Sequence, residues 1–345
     1  MSSLPVYVGL DYHSESIRVC VLREDGTMLL NKSVPNCAAI VNDCVDHFGI
    51  PSVVGIEACC GAADFATELR DMTGWNVQLA HAGYVAKLKR GRDKTDHGDA
   101  WLLADLCRVG YLPQVWLADE ETRQLRRLLR YRESLSAERK KVKLRIRALL
   151  REDRVPCPES RAWTKKWMAW LKEVNEMGEQ SRWVLNELIS DLEIKNEKLK
   201  EVEKRMREVV AGDELNQALL TEPGIGLITA FTLRAEVGDF SRFKNGKQLA
   251  RFCGVTPRNA SSGQRMADAG MIKESNENLR RVLIEAAKRL PRHEQHWKKM
   301  KERLIRRKPA NVVSAAIANR WIRSLFYRMK DVGRSPLSDS STQAA

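Results

Sequence analysis

Near its N-terminus the chain reads Tyr7-Val8-Gly9-Leu10-Asp11, an apolar run that ends in a carboxylate. A short polar turn follows, and then Ile17, Val19 and Val21 alternate with Arg18, Cys20 and Leu22. This pattern predicts a buried strand, a turn and a second strand. Asp11 falls where the buried strand ends, so its side chain meets a cleft and not the core. A carboxylate there is costly unless a cation, a hydrogen-bond donor or water meets it. The pattern returns at Val53-Val54-Gly55-Ile56-Glu57, again a short apolar run that ends in a carboxylate.

The segments between and after these runs predict their partners. Asp25-Gly26 is a turn, and 27–34 a third strand. A helix is expected over 38–48, with Ile40, Val41, Cys44, Val45 and Phe48 on one face. A second helix carries Phe65, Leu69 and Met72 to a stop at Gly74, and 76–80 is a further strand. The order β-β-β-α-β-α-β, with carboxylates closing the first and fourth strands, is the plan of RNase H-like α/β domains, an analogy of fold and not of function. Next, Lys87, Lys89, Arg90, Arg92 and Lys94 lead into Asp96 and Asp99 at the start of a helix. Residues three apart on a helix share a face, so both carboxylates can enter one cleft.

From about Glu120 the composition shifts to Arg and Lys. Leu128, Leu135, Val142 and Leu149 recur every seven residues, and Pro156-Cys157-Pro158 breaks the helix before Trp163, Trp167 and Trp170. Leu185, Leu188, Leu192, Leu199, Val202, Met206 and Val209 then form a second heptad, interrupted by Lys195. Two long helices in an antiparallel coiled coil fit this spacing; a packed helical domain with a solvated charged face fits it equally. The first arm, with Arg123, Arg126, Arg127, Arg130, Arg132, Arg139, Lys140, Lys141, Lys143, Arg145 and Arg147, is dense enough for nucleic-acid backbone contacts. Beyond Gly212-Asp213, residues 219–230 read as helix, tight turn and helix. The Pro223-Gly224-Ile225-Gly226 turn is similar to helix-hairpin-helix modules, where Gly224 and Gly226 would let backbone N–H groups approach a phosphate. Residues 252–265 form a polar loop that holds Ser261, Ser262 and Gly263 between Arg258 and Arg265. A surface turn and a nucleophile or phosphate site are both open readings. Helices are expected over 278–290 and 312–329, and a disordered Ser-rich tail from Gly333.

The formal net charge is +14, from 59 Lys and Arg against 45 Asp and Glu, which suits a polyanionic partner, nucleic acid by default. No run approaches the roughly 20 apolar residues that span a membrane, and no signal peptide is expected. The eight cysteines form no C-x-x-C pair and no zinc spacing, so reduced thiols in a cytoplasmic protein are expected. Asp11, Glu57, Asp96 and Asp99 would converge in the proposed fold. Clustered carboxylates raise one another's pKa unless a cation sits among them, and Mg²⁺, or Mn²⁺ in its place, suits an all-oxygen set. Taken singly, Asp96 can be a helix cap and Glu57 a partner of a nearby Lys or Arg.

The set Gly9-Leu10-Asp11, Gly55-Ile56-Glu57-Ala58, Lys94-Thr95-Asp96-x-x-Asp99-Ala100, Pro223-Gly224-Ile225-Gly226 and Gly254-Val255-Thr256-Pro257-Arg258 with Ser261-Ser262-Gly263 resembles the IS110/IS1111-type transposases, or DEDD recombinases. The resemblance covers about residues 6–330. It implies a RuvC-like DEDD domain over 1–118, a coiled-coil insertion over 119–211, a mainly helical C-terminal transposase domain over 212–331 and a tail over 332–345. By it, Asp11, Glu57, Asp96 and Asp99 are a catalytic metal tetrad and Ser262 is the nucleophile, with Ser261 adjacent. It implies a phosphoserine link to donor and target DNA and a homo-oligomer, dimer or tetramer, whose active sites are composed in trans. It also implies guidance by a structured noncoding bridge RNA. Lys94, Arg258, Arg265, Gly224 and Gly226 are the expected nucleic-acid contacts. A structure-selective nuclease using metal-activated water, a non-catalytic nucleic-acid-binding protein and an actin-like phosphotransferase are the rival readings.

Overall fold

The structure, a computed structural model, describes residues 5–89, 96–159, 161–259, 268–272 and 275–332. Lys94, Ser261, Ser262, Arg265 and the Ser-rich tail lie outside them. The chain divides into two compact units, 1–120 and 121–345.

The first unit runs β1 (Val6–Tyr12), β2 (Ser16–Arg23), β3 (Met28–Pro35), α1 (Ala38–Asp46), β4 (Pro51–Glu57), α2 (Ala62–Thr73), β5 (Val77–Ala80), α3 (Ala82–Leu88), α4 (Asp96–Arg108) and β6 (Gln114–Val115). Up to β5 this is the element order expected from the sequence. The six strands form one mixed sheet in the order β3-β2-β1-β4-β5-β6. β1, β2 and β3 pair antiparallel, β4 joins β1 in parallel, β5 joins β4 in parallel, and β6 closes the edge antiparallel. Val8, Leu10, Val19, Val54 and Ile56 from the sheet pack with Val41, Val45, Phe65 and Leu69 from α1 and α2. Two expected core residues face water instead. Ile40 is exposed because successive residues on a helix lie about 100° apart, and the Ala38, Val41, Val45 stripe takes the core side. Met72 is exposed in the last turn of α2, just before Gly74 ends the helix in a left-handed conformation.

The second unit is mainly helical. It opens with α5 (Glu120–Glu152), α6 (Lys165–Glu173) and α7 (Glu179–Ala211). It continues with α8 (Glu214–Thr221), α9 (Leu227–Val237), α10 (Gly246–Phe252), β7 (Pro257–Asn259), β8 (Asp268–Met271), α11 (Glu277–Arg289), α12 (Gln295–Ile305) and α13 (Ala310–Met329). The 33-residue helices α5 and α7 run antiparallel. Leu125 and Leu129 meet Met206 and Val210, Leu135 meets Leu199 and Val202, and Val142, Ile146 and Leu150 meet Leu185, Ile189 and Leu192. The buried seam departs from the strict heptad. Leu128, Leu149, Leu188 and Val209 are only partly buried, while Leu129, Leu150, Ile189 and Val210 take the inner places. A straight α-helix drifts by about 20° per heptad, which moves the seam by one residue toward its ends. Lys195 keeps its place in the seam by pairing with Glu138. Trp163, Trp167 and Trp170 pack as tilted neighbours against the far end of this pair.

Helices α8 to α13 enclose one core, with Leu219, Phe240, Leu249, Leu283, Trp321 and Ile322 at its centre. Gly224 adopts φ 79 in the turn between α8 and α9, where a Cβ would press on Leu290 Cδ2 at 3.1 Å. The loop expected over 252–265 begins instead as β7, which pairs antiparallel with β8. Short strands of three and four residues leave no alternation to detect. Helix α12 leaves no pattern in the sequence, because its buried residues, Trp297 and Met300, are too few to make a stripe. No helix among the described residues is long and apolar enough to cross a membrane.

Candidate active site

Asp11 and Glu57 sit at the C-terminal ends of β1 and β4, neighbouring parallel strands. What brings the other two carboxylates to them is the missing side chain at two glycines. Gly9 and Gly55 are partners in register across β1 and β4, and α4 lies directly over them. A Cβ on Gly9 would come 2.1 Å from the carbonyl oxygen of Ala100 and 2.4 Å from the amide of Ala104. A Cβ on Gly55 would come 2.5 Å from Cys107 Sγ. Helix α4 therefore seats backbone-close on the sheet, with Leu103, Ala104 and Cys107 buried beneath it. Its first turn, carrying Asp96 and Asp99, then reaches the strand ends.

A side-chain relay holds that first turn. Arg18 Nε donates to Asn31 Oδ1 at 2.7 Å, and Asn31 Nδ2 donates to the His97 carbonyl at 3.1 Å. Strands β2 and β3 thus grip the start of α4 next to Asp96.

Two basic side chains sit among the acids. Lys89, which ends α3, places Nζ 2.8 Å from Asp99 Oδ2 and 3.8 Å from Glu57 Oε2. His13, just past β1, places Nε2 3.3 Å from Asp11 Oδ2 and 3.8 Å from Asp96 Oδ1. Ligand atoms of Asp11, His13 and Asp96 lie within 4.8 Å of one another, a spacing that one metal ion can bridge. Asp99 is buried, Asp11 and Glu57 are half-buried, and Asp96 is exposed. Burial pushes the Asp11 carboxyl above its usual range; His13 opposes this, and the charges of Asp99 and Asp96 add to it. Burial pulls the Lys89 ammonium down, yet its hydrogen bond to Asp99 and the charges of Asp99, Glu57 and Asp11 outweigh that and hold it above its ordinary value. The four carboxylates thus form one electrostatically coupled cluster that attracts positive charge.

Of the four acids expected from the sequence, Asp11 and Asp96 meet at His13, while Asp99 and Glu57 meet at Lys89. His13 and Lys89 were not anticipated as members. His13 lies two residues past Asp11, and Lys89 was hidden within a basic run, with no signal separating either from a surface residue. On the second unit, Arg258 is exposed on β7, and Gly226 caps α9 with open space around it. Two arginines of the basic arm do internal work. Arg126 donates to the carbonyls of Ala235 at 2.9 Å and Glu236 at 3.4 Å, and Arg132 holds Glu203 at 2.8 Å.

The residues flanking the segment that bears the two serines are tightly fixed. Gly254 adopts φ 68, and a Cβ there would collide with Ser275 Oγ at 2.1 Å and Arg280 Nε at 2.9 Å. Arg280 donates to Ser275 Oγ and to the Ile272 carbonyl, while Asn276 donates to the buried Glu236 at 2.7 Å. Both ends of the segment, at Gly254 and at Ser275-Asn276, are therefore held on α9 and α11.

Two family models match this chain. Residues 8–153 match the DEDD transposase domain of the IS110 type, and residues 216–302 match the transposase domain of the IS116/IS110/IS902 family. The chain is 30% identical over 290 residues to a probable family 20 transposase of Pseudomonas aeruginosa, covering 80% of this chain and 83% of that protein. It is 27% identical over 322 residues to the transposase of insertion sequence element IS1328 of Yersinia enterocolitica, covering 92% of this chain and 94% of that protein. It is also 27% identical over 319 residues to the transposase of insertion sequence element IS1111A of Coxiella burnetii, covering 91% and 86%.

Proposed function

The chain belongs to the IS116/IS110/IS902 family of transposases, enzymes that cut and rejoin DNA, and on that premise we propose that its four N-terminal carboxylates hold Mg²⁺ and act with a serine nucleophile. The observation that carries the reading is the coupled cluster of Asp11, Glu57, Asp96 and Asp99 around Lys89 and His13. The order β3-β2-β1-β4-β5, with acids at the ends of the two central parallel strands, supports a RuvC-like assignment for this unit. The antiparallel α5–α7 pair supports a coiled-coil insertion.

The donor set fits a hard divalent cation. Every candidate carboxylate supplies oxygen, burial raises the Asp11 carboxyl with a smaller push from Asp99 and Asp96, and an ammonium already stands between Asp99 and Glu57. When bound, the ion polarises the scissile phosphate and eases loss of the attacking hydroxyl's proton. The chain's own residues supply the rest. Asp99 and Glu57 are kept at a fixed spacing by Lys89, and Asp11 and Asp96 by His13. Ser262 is the nucleophile, with Ser261 beside it. Its Oγ gives up its proton to water and forms a bond to phosphorus as a deoxyribose oxygen leaves with the broken P–O pair and takes up a proton as a hydroxyl, giving a phosphoserine link to one DNA strand. Arg258, exposed on β7, contributes a guanidinium that neutralises charge on the non-bridging oxygens. The serine acts on a tetrad of another subunit, and an element-encoded bridge RNA pairs with donor and target DNA, which leaves the protein to contact backbones.

The test is an incubation of the protein with Mg²⁺, element DNA and its flanking noncoding RNA, followed by denaturing electrophoresis. Protein–DNA adducts should form with the wild type and vanish in Ser262→Ala. Recombination that survives both Ser262→Ala and Ser261→Ala would refute the serine step and leave metal-activated water as the nucleophile. Activity in Asp11→Ala would remove the metal site, and activity without the RNA would remove the guide.

A further inference from the structure

One side of α13 and its C-cap carries Arg320, Arg323, Ser324, Tyr327 and Lys330. Their spacings of three and four residues put them on one face over roughly 15 Å of helix. Arg320, Arg323, Ser324 and Tyr327 line a cleft of about 630 Å³ together with Asn245 and Lys247 from the start of α10. Gly246 creates this junction, because a Cβ there would lie 2.7 Å from the Arg323 carbonyl oxygen. The start of α10 thus lies against the α13 backbone and brings Lys247 alongside two arginines.

Among the described residues, three cations line this cleft and no carboxylate does. Among the described residues, Lys247 and Arg323 have no ion-pair partner, and Arg320 donates to Met300 Sδ at 3.3 Å, a weak acceptor. Like charges gathered without acids repel unless an anion joins them. A second cleft of about 330 Å³ continues the track and adds Lys244, Lys330 and Asp331. Tyr327 borders both clefts and is 61% exposed. An aromatic ring standing in water between a basic cleft and one where Lys330 pairs with Asp331 at 3.7 Å suits base stacking, which tolerates any sequence.

We propose that this face of α13 is a binding track for unpaired, single-stranded DNA, with phosphates against Lys247, Arg320 and Arg323 and a base stacked on Tyr327. The family cuts and rejoins DNA, and a cut strand is free to leave its duplex. The inference rests on that family chemistry and not on the metal or serine reading.

Fluorescence anisotropy with the full chain in EDTA tests it and keeps its failure distinct from failure of the active-site reading. The probes are a labelled single-stranded DNA, the same strand in a duplex, and the RNA of the same sequence. Lys247→Gln with Arg323→Gln should weaken single-strand binding about tenfold and lower the slope of log K against log salt by about 0.7 per cation removed. Tyr327→Ala should weaken it by a similar factor while leaving duplex binding nearly unchanged, and Tyr327→Phe should restore it. Lys247→Arg, which keeps the charge, should bind as the wild type does. Unchanged affinity and salt slope in the double variant would overturn the proposal. So would loss in Lys247→Arg, equal sensitivity of duplex binding to Tyr327→Ala, or effects confined to the RNA probe.

Discussion

Gly9 on β1 and Gly55 on β4 lie side by side in register, and the backbone of α4 occupies the space that their side chains would fill. This pairing explains why a glycine stands two residues before each strand-end carboxylate. Strand residues two apart share a face, so each glycine shares its face with the acid that follows it. The helix carrying Asp96 and Asp99 can reach Asp11 and Glu57 only if it lies this close.

Gly9→Ala is therefore expected to destabilise the first unit by roughly 1–3 kcal/mol, because the contacting atoms are helix backbone and cannot rotate away. Urea titration should show a lower midpoint, and DNA cleavage should fall further than stability does, since α4 carries two of the four acids. A midpoint unchanged from the wild type would mean that α4 does not seat on Gly9.

Lys89→Gln removes the ammonium between Asp99 and Glu57 and leaves the buried Asp99 without its partner. Because Lys89 is a quarter exposed, the expected loss is about 1–3 kcal/mol, between the surface and fully buried cases. Added Mg²⁺ should raise the Tm of the variant more than that of the wild type. Equal Mg²⁺ responses would show that the ammonium does not stand in the cation's place.

Asp11→Asn should abolish cleavage yet raise the stability of the metal-free protein at neutral pH. The Asp11 carboxyl is held above its unfolded value by burial and by its acidic neighbours, with His13 opposing. A raised carboxyl favours the folded state below the unfolded pKa, and this contribution is lost as pH climbs through the folded value. The stabilisation by Asn should thus be full at pH 7 in EDTA and fade as pH falls into the carboxylate range. Thermal melts of both proteins across pH 3–7 read this directly, and a gap independent of pH would contradict it.

Ile146→Ala tests the α5–α7 seam. Ile146 is fully buried in a cluster with Leu185, Ile189 and Leu192, so its truncation should cost about 2–5 kcal/mol. Leu149→Ala, expected in the seam from the heptad but only partly buried, should cost clearly less. Equal losses in urea would favour the strict heptad over the observed packing.

The chemistry of the first unit was readable because periodicity and carboxylate position are local properties. Strands that alternate, helices with one apolar face and an acid pair three apart announce themselves over a few residues. The α5–α7 pair was readable for the same reason, but its seam was displaced at the ends. Seven-residue counting ignores the small mismatch with the helical repeat, and burial then chose Leu129 over Leu128 and Val210 over Val209. Strands β7 and β8 and helix α12 were not readable, since each presents too few apolar residues to form a pattern.

By itself the sequence determined the order of strands and helices up to β5, the acids at the strand ends and the family of the chain, because hydrophobic period and motif spacing are written along the backbone. Only the tertiary structure decided that His13 and Lys89 stand among those acids, that Gly9 and Gly55 seat α4, and that Lys247 meets Arg320 and Arg323. These are meetings of side chains distant in sequence. They depend on how closely two elements can approach, which packing against the sheet or a neighbouring helix sets and local pattern does not encode.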